Sequence, residues 1–314
     1  MWYNNLNMNI VAKSYVLGVL MVAGLITFSV ALGAPATTSV TVGNATPTVT
    51  NVAITQSPIV LTENTTASIN VTADIADGNG CADVFSSGTI TGVLFRSGVS
   101  ATSSCTQDAR NCYRFTFTTT TAAGTCTGGT DTAMTVSSSI PVWYFADATD
   151  ASSSLGYSAQ WWVAYAKPTD FSASTSNATS ATAVELNTLL GLQVTAAINY
   201  GVVAANADTG ATNQPATTTN TGNSKLDIEF SGTNMTGPAT LAATQQKYGT
   251  TTATYASLAY TLSTSPALKQ TNLGIAVTST AAAASTTYWG IAIPNGQTNG
   301  AYTGTNTFTA VWTN

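Results

Sequence analysis

The sequence of 314 residues holds 8 Lys and Arg, 13 Asp and Glu and no His, so 7% of it is charged and its formal net charge is −5. An ordinary soluble domain carries roughly 25% charged residues. Without His, the Ser/His/Asp triad, the Cys/His pair, His-ligated zinc and imidazole acid–base catalysis are all excluded, and singly scattered basic residues offer no footprint for nucleic acid.

Polarity comes instead from hydroxyls and amides: 60 residues are Thr. Thr is β-branched and suits a pleated, half-buried surface, so a Thr-rich chain with 25 Gly points to strands and turns rather than helices.

The chain begins with an apolar run. Residues 14–33 contain no charge, Lys13 precedes them and Ala31-Leu32-Gly33-Ala34 closes them with small residues. A basic start, an apolar stretch and a small-x-small site read as a signal peptide over 1–33, cut after Gly33. The alternative is an uncleaved anchor, because about 20 apolar residues also span a bilayer. Residues 34–41 read as a short linker.

Residues 42–170 read as an immunoglobulin-like β-sandwich. Ile69, Val71, Ala73 and Ile75 alternate with polar neighbours, as do Tyr113, Phe115 and Phe117, giving each run one apolar face. Further strands are expected over 48–54, 59–62, 89–96, 140–146 and 160–166, with turns at Asp77-Gly78-Asn79-Gly80 and Thr127-Gly128-Gly129-Thr130. Cys81, Cys105, Cys112 and Cys126 all lie here. Export with an even count favours two disulfides, whereas the absence of a C-x₂-C pair argues against zinc. Four cysteines admit three connectivities. The short polar loop 106–111 favours Cys105–Cys112, which leaves Cys81–Cys126 to join two inter-strand connections.

With so few carboxylates, their clustering is informative. Asp74, Asp77 and Asp83 surround the Asp-Gly-Asn-Gly turn, and Asp147 and Asp150 follow the Trp143 strand. Together with Asn79 these are the oxygen ligands Ca²⁺ takes, six to eight at a time. The competing reading is that Asp77 and Asn79 serve only the turn. Trp143 and Phe145 share one strand face and suit core packing, whereas the adjacent Trp161 and Trp162 must point to opposite faces, so one of them is available to a ligand.

Low-complexity residues 171–182, rich in Ser, Thr and Ala, read as a linker, and 183–314 as a second β-sandwich without cysteine. Leu226, Ile228 and Phe230 alternate with Asp227 and Glu229, and Asn220-Thr221-Gly222-Asn223 reads as a hairpin turn. Strands are also expected over 256–262, 273–277, 287–293 and 305–312. The whole is therefore an all-β chain of two tandem immunoglobulin-like sandwiches behind a hydrophobic signal helix.

Several segments, among them Asp77-Gly78-Asn79-Gly80-Cys81-Ala82-Asp83, Asn111-Cys112-Tyr113-Arg114, Trp143-Tyr144-Phe145-Ala146-Asp147 and Tyr288-Trp289-Gly290-Ile291-Ala292-Ile293, resemble the secreted, Thr-rich, immunoglobulin-like surface proteins of small-genome Patescibacteria. The resemblance implies an extracellular β-sandwich protein and brings no activity or catalytic residues with it. Function is therefore expected to be that of an exported, non-catalytic surface-layer or adhesin-type protein. Its expected partners are cell-envelope components, glycans or copies of itself, with no nucleic acid, and with the membrane only through an uncleaved N-terminus. The alternative is a carbohydrate-binding module using Trp161, Trp162, Tyr288 and Trp289, since aromatic faces stack on sugars. The three glutamates, Glu63, Glu185 and Glu229, offer no evident pair for glycoside hydrolysis, which needs two carboxylates at a set separation.

Overall fold

The computed structural model describes residues 36–85, 88–99, 105–117, 119–121, 126, 131–195 and 197–312. The signal or anchor segment 1–33 and the Thr127-Gly128-Gly129-Thr130 turn lie outside them. Residues 44–314 form one compact unit. The fold is an all-β sandwich arrangement, with strands in antiparallel sheets and a single short α-helix among the described residues.

The first half comprises β1 (Thr48–Ile54), β2 (Thr66–Ala76), α1 (Cys81–Phe85), β3 (Thr89–Arg96), β4 (Cys112–Thr116), β5 (Thr119–Thr121), β6 (Ala133–Trp143), β7 (Trp162–Thr169) and β8 (Ala178–Thr179). One sheet runs β1-β2-β6-β5 and the other β4-β3-β7-β8. Placing the first, second, sixth and fifth strands together and the third and seventh opposite them is the immunoglobulin Greek key, here with β4 added beside β3. Alternation sets the register. β2 pairs with β6 from Thr66↔Trp143 to Ala76↔Ala133, and Ile69, Val71, Ala73 and Ile75 all turn inward, since a slip of one residue would expose the whole row. They meet Ile90, Leu94, Val136, Val142 and the buried Trp162.

Some boundaries differ from the sequence pattern. The 59–62 run contributes only a bridge, Ile59 pairing in parallel with Leu186. Residues 171–182, low in complexity, carry β8, which pairs with β7, and beyond them Val184 and Leu186 are buried in the first core. Two apolar residues among Ser, Thr and Ala are enough to seat the segment against an existing sheet.

The second half comprises β9 (Leu192–Val194), β10 (Ala207–Asp208), β11 (Gln214–Asn220), β12 (Leu226–Gly232), β13 (Met235–Thr236), β14 (Thr240–Leu241), β15 (Gln246–Gly249), β16 (Tyr260–Thr261), β17 (Ala267–Leu273), β18 (Ala283–Ile293) and β19 (Asn306–Trp312). One sheet runs β16-β15-β18-β11-β9, with β10 also on β18, and the other β17-β12-β19. Phe230, Tyr248 and Trp289 fill the space between them, Tyr248 and Trp289 stacked with centroids 4.7 Å apart.

The expected hairpin at residues 220–223 is corrected by this topology. β11 and β12 lie in different sheets, so Asn-Thr-Gly-Asn carries the chain across the sandwich instead of reversing it within one sheet. The turn is buried and holds itself by its amides. Asn220 Nδ2 donates to the carbonyls of Ser224 (2.8 Å) and Gly274 (2.7 Å), and Asn223 Oδ1 accepts from Leu189 N (2.6 Å). A Cβ on Gly222 would sit 2.1 Å from Leu189 O, so glycine is required there. The two halves meet at this turn: Thr221 Oγ1 donates to Glu63 Oε1, and the hydroxyls of Ser154 and Ser224 are 2.8 Å apart.

Candidate functional site

The disulfides are Cys81–Cys126 and Cys105–Cys112. Disulfides persist where thiols are oxidised, so they place the folded chain in an oxidising, extracellular or periplasmic compartment. Among the described residues no helix is long and apolar enough to cross a membrane.

At one end of the first sandwich three carboxylates converge. β2 ends at Ala76, and Asp77 N then donates to Thr132 O (2.8 Å). Asp77 Oδ1 accepts from Asn79 N (2.7 Å), an Asx turn that Gly80 completes with φ 110°, a conformation suited to glycine. The turn delivers the chain into α1, where Cys81 is disulfide-bonded and Asp83 lies in the first turn, its N–H on Gly80 O (3.0 Å). From the opposite sheet, Asp170 directly follows β7. Its Oδ1 accepts from Ser174 N (2.8 Å) and its Oδ2 from Asn44 Nδ2 (2.8 Å). Asp77, Asp83 and Asp170 thereby bring carboxylate oxygens within 4.8 Å of one another. Asp77 is 2% exposed and Asp170 3%, and Asp77 Oδ2 is buried with no hydrogen-bond partner.

No protein-family model matches this chain, and no curated protein matches it.

Of the six oxygen ligands read from the sequence, Asp77 and Asp83 join this cluster, and Asn79 shapes it: its Oδ1 accepts from Ala45 N (2.5 Å). The other three lie outside this cluster and have other partners. Asp74 is occupied on β2, accepting from Thr135 Oγ1 (2.6 Å) and Asn51 Nδ2 (2.8 Å). Asp147 is the buried centre of an ion cluster, with Arg96 Nε 3.0 Å from Oδ2 and Arg110 Nη2 2.7 Å from Oδ1. Arg96 also lies over the Tyr157 ring, 3.7 Å from its centroid, and donates to Gln160 Oε1. Asp150 accepts from Thr188 N (2.9 Å) and Thr188 Oγ1 (2.5 Å), fixing the connection between the halves. Asp170 was not legible as a ligand because it lies far along the chain, just past a strand of the other sheet.

The aromatic candidates separate in the same way. Trp162 is fully buried, and its Nε1 donates to Asp147 O (3.0 Å). Trp289 is also fully buried, and its Nε1 donates to Thr287 Oγ1 (2.8 Å). Neither ring can reach a ligand; both are core residues whose indole N–H finds an internal acceptor, as a buried Trp requires. Trp161, the other member of the pair, is 42% exposed, and Tyr288 on β18 is half-buried. Trp143 and Phe145 stack at 5.8 Å and 17° within the core.

A feature the sequence did not suggest is a cleft of about 590 Å³ between residues 194–195 and 197–200 on one side and β19 on the other, lined by Ile198, Tyr200, Met235, Gln246, Asn306 and Phe308 among others. Its floor is a neutral network in which Gln246 Oε1 accepts from Tyr200 Oη (2.9 Å) and Asn306 Nδ2 (2.7 Å). Burial holds the Tyr200 hydroxyl well above the usual phenol range, so it remains a neutral donor. Hydroxyl and amide groups beside an aromatic edge can hold an uncharged polar ligand; they contain no general base.

Proposed function

We propose that this is a non-catalytic structural or interaction protein of the cell surface, of the surface-layer or adhesin type. The observation that carries the reading is the open edge of β19. Among the described residues that strand pairs only with β12, ends its sheet, and presents Asn306–Trp312 without a single charge, with Trp312 exposed at its end. Soluble proteins commonly blunt such edges with Lys, Pro or bulges, because an open edge is a template for another strand. A chain of net charge −5 over 314 residues also has little self-repulsion to oppose close packing. The buried Asp147, the partly buried Asp150 and the exposed Glu63 support the same reading, since each is engaged in holding the fold together.

Antibodies to the folded chain are expected to label intact cells, and electron microscopy at rising protein concentration is expected to show ordered arrays or fibres. Thr309→Lys, a charge placed on the edge, should leave dispersed particles. Dispersed particles of the parent chain at every concentration would reject self-assembly, and labelling only after cell lysis would reject the surface location.

The second reading, carbohydrate attachment, is favoured by the neutral cleft beside β19 and by exposed Trp161. Glycan-array binding that is weakened by Asn306→Ala or Trp161→Ala supports it, and a parent protein that binds no glycan ends it.

A further inference from the structure

We infer that Asp77, Asp83 and Asp170 form a calcium site that ties the two sheets of the first sandwich together at one end. Three carboxylates within 4.8 Å repel one another when ionised, and two of them are almost completely buried. Burial of like charges calls for a compensating cation. Among the described residues the ion pairs found involve Asp147 and not these three groups, so no Lys or Arg supplies that cation.

The independent sign is Asp77 Oδ2, buried and without any hydrogen-bond partner. Its sister oxygen is fixed by Asn79 N, so the side chain cannot turn to find a partner without breaking the Asx turn. An anionic oxygen held this way suits a metal ligand.

The ligand chemistry selects the ion. All three donors are hard carboxylate oxygens, without thiolate or imidazole, which favours Ca²⁺ or Mg²⁺ over zinc or copper. They come from a turn, a short helix and a strand end, an irregular arrangement that suits the flexible geometry of Ca²⁺ better than the strict octahedron of Mg²⁺. The site also has a mechanical consequence. Asp77 follows β2 and Asp170 follows β7, in opposite sheets, while Asn44 holds Asp170 and Ala45 holds Asn79. A bound ion would therefore fasten both sheets and the chain leading into β1.

The full chain, stripped with EDTA, is titrated with CaCl₂ in a calorimeter and melted with and without the ion. One Ca²⁺ is expected per chain, with a dissociation constant of about 10⁻⁴–10⁻³ M, as in extracellular modules, and Ca²⁺ should raise the melting temperature. Asp77→Asn and Asp83→Asn should each weaken binding about tenfold or more, by loss of ligand charge, whereas Asp74→Asn should leave it unchanged. In EDTA, Asp77→Asn should melt no lower than the parent, because it relieves repulsion. That result separates a lost ligand from a damaged fold, and Asp83→Asn, on the least buried of the three, repeats the test. The inference is overturned by a parent chain with no binding heat and the same melting temperature in Ca²⁺ and EDTA, by an equal response to Mg²⁺, or by equal loss in Asp74→Asn.

Discussion

Residues 44–186 and 187–312 are both sandwiches of antiparallel sheets, yet they are secured by different chemistry. The first contains both disulfides and the Arg96–Asp147–Arg110 ion cluster. The second has no cysteine; it buries a stack of Phe230, Tyr248 and Trp289 and a row of neutral polar groups, including Thr218, Asn220, Asn223, Gln246 and Thr287. Cross-links act chiefly by restricting the unfolded chain, whereas aromatic packing and amide networks act in the folded state. In the second half the buried polar groups are thus hydroxyls and amides, Asp227 excepted, whereas the first half also buries Asp77, Arg96, Asp147 and Asp170.

The contrast can be broken from either side. The largest effect is expected from Trp289→Ala, about 4–5 kcal/mol, because it opens a cavity among Phe230, Tyr248 and Phe308 and removes the indole N–H that donates to the Thr287 hydroxyl. In urea titrations followed by hydrogen exchange, the second half should lose protection before the first. Replacing Cys81 and Cys126 by Ala should cost about 4 kcal/mol, and replacing Cys105 and Cys112 about 2.5 kcal/mol, since loop-closure entropy grows with the 45- and 7-residue separations. Reducing agent should accordingly weaken the first half alone; an equal response from both halves would contradict the contrast.

Asp147→Asn should cost about 3 kcal/mol, near the lower end for breaking a buried pair because Arg110 is partly solvated, and should be read as a fall in the urea midpoint of the first half. The Trp161→Ala change, at an exposed ring, should stay within about 0.5 kcal/mol by the same titration.

The smallest effect is expected from pH across the neutral range. With no His and all four Cys in disulfides, no side chain has an ordinary pKa between about 5 and 9. Stability in EDTA should therefore be flat there. The alkaline side differs. Burial raises Tyr113, with Trp143 N opposing the shift through its hydrogen bond to the phenol, and burial raises Tyr200 and Tyr248 too. Each raised pKa contributes stability that is complete below the unfolded value of about 10 and is lost as pH rises toward the folded value. Thermal melts should fall only above about pH 10, in both halves, because Tyr113 lies in the first core and Tyr200 and Tyr248 in or against the second.

Much of the candidate site was hidden for an identifiable reason. The Asp-Gly-Asn-Gly turn is local, so Asp77 and Asp83 could be read as neighbours from spacing alone. Asp147 sits among apolar residues and looks like a spare ligand until Arg96 and Arg110, from separate strands and loops, are brought to it. The tandem Trp161-Trp162 guaranteed one inward and one outward ring by the period of a strand, but the choice between them depended on register.

By itself, the sequence determined what is local or compositional: an all-β chain from Thr and strand alternation, an oxidising compartment from paired cysteines, and the exclusion of imidazole chemistry from the absence of His. Tertiary structure decided what depends on partners distant along the chain. It crossed Asn220–Asn223 between sheets instead of within one, drew residues 178–186 back onto the first sandwich, and set Asp170 beside Asp77. Register and sheet pairing are long-range choices fixed by which apolar faces can be buried together, and no local window of residues contains that information.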